Sequence, residues 1–168
     1  MTSAAPLGPA GQRMAATLAS LVARCLPIRL GADGARERRL GGLLLCVERD
    51  LDDGRVARDL HAGRLLRSEE LLRAAGRLVR HGALVEWSRE GKALATSTWR
   101  MGVPHGPSRQ SWPNGRLRAH GSWVDGRKDG EWWHAHADGR LDRARTGLWR
   151  EGARIGGIKG FNDWLGSP

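Results

Sequence analysis

His134 and His136 stand two residues apart. On an extended strand, side chains two apart point to the same face, so both imidazoles would face one way. With His120 or Asp142 beside them they would make a zinc-ligating set. Neither supporting signal for a metal is present. Cys25 and Cys46 form no ligand pair, and the positions equivalent to the two histidines one repeat earlier are Gln110 and Trp112. No metal and no cofactor are expected. Acid–base chemistry fares no better. Asp53, Asp129 and Asp138 each precede a Gly, where Asp is first of all a turn former. No Gly-x-Ser-x-Gly, Cys–His pair or P-loop lysine occurs, so no catalytic residue is assigned.

Charge and aromatic rings offer binding instead. All but three of the 28 Lys and Arg residues are Arg, the exceptions being Lys92, Lys128 and Lys159, and the formal net charge is +10. Such a surplus draws a chain toward nucleic acid, anionic lipid or an acidic protein. Arg116, Arg118, Arg140 and Arg143, interleaved with Trp, could follow a nucleic-acid backbone while the indoles stack on bases. The competing reading is a solvated sheet face whose charges block edge-to-edge aggregation, with part of the Arg excess purely compositional.

The elements that position these residues follow from a repeat. The chain has 24 Gly and eight Trp in 168 residues, and no Tyr. Gly82, Gly106 and Gly130 lie 24 residues apart, and so do Gly91, Gly115 and Gly139. Trp99 and Trp123 keep the same spacing, as do Gly102 and Gly126. The pattern returns at Trp149, Gly152 and Gly156 after a slip of two residues. Asp53-Gly54 and Gly63 carry a weaker copy upstream. Periodic Trp beside small residues (Ser97, Gly121, Gly147) reads as cross-strand packing. Trp87, Trp112 and Trp133 break that phase. With His134 and His136 they are the candidates for contact with a protein partner.

Each unit reads as a β-hairpin. Asn114-Gly115, Asp138-Gly139 and Glu90-Gly91 are its tips, expected as type I′ turns with two left-handed residues. One strand is expected over about 131–137 and the return over 140–150. The whole predicts an all-β, single-layer antiparallel meander of some ten short strands, with a short N-terminal helix. The expected organisation is a disordered N-terminus (1–12), a helical cap (13–30), degenerate repeats (31–75), three good repeats (76–157) and a C-terminal cap (158–168). Ser68–Ala75 starts with a capping residue and two acids, and predicts a helical turn between units. The apolar stretch 14–23 is too short to span a bilayer. Arg24 sits where signal cleavage needs a small residue. A cytoplasmic location is expected, with peripheral attachment to an anionic membrane through the N-terminal segment as one alternative.

Residues 114–132, from Asn114-Gly115 through Lys128-Asp129-Gly130 to Trp132, resemble the MORN-repeat variant of bacterial proteins. The resemblance is strong over 76–156 and weaker over 43–75. It departs at Ser108, where a Trp is expected, and in the absence of Tyr. It implies a non-enzymatic β-meander, and proteins of that family are often catalogued as antitoxins of toxin–antitoxin pairs. The expectation is therefore a scaffold that binds another protein, acidic in character. A nucleic-acid binder using the Arg and Trp stripes is the alternative.

Overall fold

The computed structural model describes residues 26–31, 33–62 and 64–158. They form one twelve-stranded antiparallel sheet in which every strand pairs with its neighbours in sequence. The strands are β1 (Arg29–Leu30), β2 (Arg36–Leu40), β3 (Leu43–Asp50), β4 (Arg55–His61), β5 (Leu65–Ala74) and β6 (Arg77–Trp87). They continue as β7 (Ala93–Arg100), β8 (Val103–Ser111), β9 (Leu117–Val124), β10 (Arg127–His134), β11 (Gly147–Arg150) and β12 (Ala153–Gly156). The expected all-β meander is what forms.

Several details differ from the expectations. No helix occurs among the described residues. Most of the helical cap expected over 13–30 lies outside them, and its last residues, Arg29–Leu30, are strand. The expected disordered 1–12 and nearly all of the C-terminal cap also lie outside. Ser68–Ala75 is not helical, since all of it up to Ala74 belongs to β5. Its two acids explain why. Glu69 is buried and meets Arg58 and Arg80, whereas Glu70 points the other way and meets Arg55. That alternation suits a strand with charged partners on both faces and would be lost in a helix.

Turn chemistry also differs. The type I′ pattern, with two successive left-handed residues, falls at Gly41-Gly42, Ala75-Gly76, Met101-Gly102, Asp125-Gly126 and Glu151-Gly152. At Asp125 and Gly126, φ is 46° and 80°. The Asn114-Gly115 tip has only its Gly left-handed. There the Gly115 N–H donates to the Trp112 carbonyl at 2.8 Å and the Trp112 N–H to that of Arg116 at 2.7 Å. This is a type I turn closed by a left-handed Gly. The Asn114 side-chain oxygen accepts the Arg116 N–H at 3.0 Å, and Asp53 and Asp138 do the same for Arg55 and Arg140. The side-chain acceptor therefore fixes the turn without needing a left-handed backbone of its own.

The return strand expected over 140–150 is split. Only Leu141 bridges to Ala135 before a turn at 143–145, closed by the Thr146 N–H to the Asp142 carbonyl (2.9 Å). This turn absorbs the two-residue slip before Trp149.

The repeat glycines mark bulges. Glu70, Thr98 and Gly121 each face three residues of the next strand, namely 81–83, 105–107 and 130–132. Those triplets contain Gly82, Gly106 and Gly130, all with positive φ. Such bulges bend the bulged strand and increase the sheet's twist. One face carries the buried residues Cys46, Val56, Leu60, Leu71, Leu84, Ala119 and Trp132. Leu26, leading into β1, packs against Leu45, Cys46 and Leu60.

Candidate functional site

Charge runs along the buried face as a ladder. Arg36, Glu48, Arg58 and Glu69 are cross-strand partners on β2 to β5. Nitrogen–oxygen distances are 3.8 Å for Arg36–Glu48, 2.7 Å for Arg58–Glu48, 3.4 Å for Arg58–Glu69 and 3.1 Å for Arg80–Glu69. Both glutamates are only 6% exposed. Their partners therefore compensate charges that water does not reach, and removing one side would leave the other stranded. At the end of the ladder the Arg80 guanidinium lies 4.8 Å from the Trp99 ring centroid.

The ladder opens into a cleft of about 630 Å³ lined by Arg36, Arg38, Arg58, Arg73 and Arg77 around Glu48, with Ile28 and Leu78 as apolar walls. It lies at the end of the sheet where the β5–β6 turn reverses. Asp50 ties two of these arginines, holding Arg36 through two bonds of 2.6 and 2.9 Å and Arg73 at 3.5 Å. The bonds from Arg36 hold the Asp50 carboxyl down to about 2, with a smaller contribution from Arg73. Arg36 and Arg58 thus meet Glu48, Arg58 also meets Glu69, and Arg36 and Arg73 meet Asp50. Arg77 is exposed, and no hydrogen bond or ion pair of its side chain occurs among the described residues.

At the other end of the same face lies an aromatic cluster. The Trp123 and Trp132 rings meet edge to face at 4.9 Å, and Trp132, at 2% exposure, is the most buried indole among the described residues. The Lys128 ammonium sits 4.5 Å from the ring centroids of both Trp132 and Trp149. It lies 3.1 Å from His134 Nε2. Burial, then the Lys128 charge, pushes His134 down to about 4. Burial, then Arg145, also lowers Lys128. His134 is therefore a neutral acceptor for an ammonium held by cation–π contact.

The residues expected to bind a partner fall into separate places. Trp112 is half-buried; its Nε1 donates to the Ala135 carbonyl at 2.9 Å, and Arg118 lies over its ring at 4.8 Å. Asn114 Nδ2 donates to the Ala137 carbonyl at 2.8 Å, and Arg116 reaches the Asp138 carbonyl. The β8–β9 tip is thereby fastened to the next loop, with exposed His136 beside it. Trp133 is half-buried on the opposite face from Trp132 and pairs with His120. Trp87 is half-buried at the end of β6, and its Nε1 has no hydrogen-bond partner among the described residues. Among the nucleic-acid candidates, Arg140 is paired with Asp138 at 2.6 Å, while Arg143 is exposed. No set of three or more His, Cys, Asp or Glu suited to a metal occurs among the described residues. The Cys46 thiol is buried, and burial followed by Glu48 pushes it up to about 11.

Sequence reasoning missed the arginine ladder. Its signal is the alternation Arg36, Glu48, Arg58, Glu69, Arg80 at steps of 10 to 12 residues, one strand apart.

No family model matches the chain. No curated protein matches it either. Among solved structures, a variant of S. aureus TarM in complex with Fondaparinux, alpha-GlcNAc-glycerol and UDP is 10% identical, with a TM-score of 0.47 over 70% of this chain and 23% of that one. Another crystal structure of TarM gives 10% identity and a TM-score of 0.44 over 66% of this chain and 22% of that one. The chain spans less than a quarter of those proteins, and at these values the likeness carries no inference. Among the described residues no helix is long and apolar enough to cross a membrane.

Proposed function

We propose that this protein is a non-enzymatic repeat scaffold that holds an acidic segment of another protein in its arginine cleft. The cleft itself carries the reading, with five arginines and Glu48 lining an open volume of about 630 Å³. Arg36, Arg58 and Arg73 are already positioned by carboxylates, so less side-chain freedom is lost when a ligand carboxylate arrives. The overall +10 charge adds long-range attraction for an acidic partner. An antitoxin that seizes an acidic toxin is the most concrete form of this role.

The test uses a fluorescein-labelled octaglutamate peptide and fluorescence anisotropy. Binding weakens as salt screens the charges, and the double variant Arg73→Glu/Arg77→Glu lowers affinity at least about tenfold. Both side chains are exposed beside the β5–β6 turn, so the variant keeps its fold. Unchanged affinity in that variant contradicts the reading. Tighter binding of a single-stranded oligonucleotide of equal charge favours nucleic acid instead.

A further inference from the structure

Glu48 and Asp50 both meet arginines of the cleft, and they are held differently. Glu48 is buried, its side chain 8% exposed, and lies 2.7 Å from Arg58 and 3.8 Å from Arg36. It anchors both guanidinium groups from below. Asp50 ends β3, and its side chain is 59% exposed. Both of its oxygens go to Arg36, at 2.6 and 2.9 Å, and Oδ1 also lies 3.5 Å from Arg73. Arg36 and Arg73 line the cleft. The Asp50 backbone is fixed by pairing with Val56, which is fully buried. Its carboxylate, by contrast, swings into solvent by rotation about side-chain bonds alone.

We infer that Asp50 is a built-in competitor for the cleft, filling the guanidinium fork of Arg36 until a carboxylate of the partner protein displaces it. The inference rests on the acidic-partner reading above. Asp50 takes Nη1 and Nη2 of Arg36, and Nε faces Glu48. The planar group therefore has no free fork to offer a further carboxylate. An incoming carboxylate remakes the bonds that Asp50 gives up, and Asp50 regains water at an exposed site, so the exchange itself is close to neutral. The gain comes from Arg77, which also lines the cleft and has no ion pair among the described residues. Without the Asp50 carboxylate, Arg36 stays anchored on Glu48 and its fork is open from the start. Removing that carboxylate therefore tightens binding of an acidic segment.

The probe is the fluorescein-labelled octaglutamate peptide, titrated at physiological ionic strength into the full chain as wild type, Asp50→Asn and Asp52→Asn. Asp52 is exposed in the turn just beyond β3, so its substitution removes the same charge without freeing Arg36. Asp50→Asn is expected to bind at least about threefold more tightly than the wild type, the size of one exposed ion pair. Asp52→Asn is expected to stay within about twofold of the wild type, because salt screens an exposed charge at a distance. A second readout needs no substitution. In ¹³C-labelled wild type, saturation with unlabelled octaglutamate is expected to move the Asp50 carboxyl resonance toward that of a solvated carboxylate. Equal or weaker binding by Asp50→Asn, equal tightening by both variants, or an unmoved Asp50 resonance overturns the displacement and leaves the cleft reading standing. Peptide that binds neither the wild type nor Asp50→Asn overturns the cleft and the competitor together. Binding by Asp50→Asn alone supports the competitor in its strongest form.

Discussion

Gly106 of β8 lies directly opposite Trp123 of β9, in the middle of the repeat's bulge. Gly82 faces Trp99 and Gly130 faces Trp149 in the same way. The strand position opposite each of these three Trp residues therefore carries no side chain. Gly106 holds a φ of 102°, so any other residue is strained there. Gly106→Ala is expected to cost about 1–2 kcal/mol. Gly121 is not left-handed, but its Cβ would strike Trp132. Gly121→Ala is expected to cost about 2–3 kcal/mol by overpacking. Urea unfolding of the two variants gives the order, and a smaller loss for Gly121→Ala contradicts the packing of Trp132 on Gly121.

The ladder makes a separate prediction. Glu69 serves both Arg58 and Arg80 from a buried position. Glu69→Gln leaves those guanidinium groups short of a charge partner and should cost about 3 kcal/mol. Replacing the cross-strand pair together, Glu69→Leu with Arg58→Leu, also takes the 2.7 Å partner from buried Glu48, so the combined loss should stay large yet fall below the sum of the two single losses. Additive losses in the double-mutant cycle contradict the coupling.

Acid should weaken the aromatic end through His134. Its folded-state value is lowered from 6.5 to about 4, first by burial and then by Lys128. Between those values the unfolded chain binds the proton and the folded one does not. Stability is therefore fully present above about pH 6.5 and falls as pH drops toward 4. Allowing for His134's partial exposure, the loss is about 1–2 kcal/mol. His134→Gln flattens the dependence of Tm on pH in that window. An unchanged slope contradicts a neutral His134 held against Lys128.

The tip-to-loop fastening is tested at Trp112. Trp112→Phe keeps an aromatic ring but removes the 2.9 Å bond to the Ala135 carbonyl. A loss of about 1 kcal/mol is expected, with faster amide exchange at residues 135–139. Protection there equal to that of the wild type contradicts the fastening.

Much of the fold could be read in the sequence because glycine and tryptophan recur in register. The 24-residue spacing of Gly82, Gly106 and Gly130 marks the three-residue bulges of β6, β8 and β10, whereas the register shifts at Glu86/Trp87 and Gln110/Ser111 carry no such signal. The two-residue slip before Trp149 was visible, but its cause at Asp142–Thr146 was not. Local signals misled where two structures share one pattern. Ser68-Glu69-Glu70 resembles a helix start, yet its acids serve opposite faces of β5. Asn-Gly and Asp-Gly signalled the tips correctly and their geometry wrongly, since Asn114 and Asp138 act through side-chain oxygens. The arginine cleft was hidden because Arg36, Arg58 and Arg77 meet only through strand register, and no local pattern records register.

Docking of an acidic protein at the arginine cleft is tested most directly by capture. Immobilised wild-type protein and the Arg73→Glu/Arg77→Glu variant are compared for capture from extract with and without nuclease treatment, with eluted proteins identified by mass spectrometry. A stoichiometric acidic protein is expected on the wild type, released by salt and missing from the variant. The same captured set on both, or a wild-type capture that disappears on nuclease treatment, would contradict it.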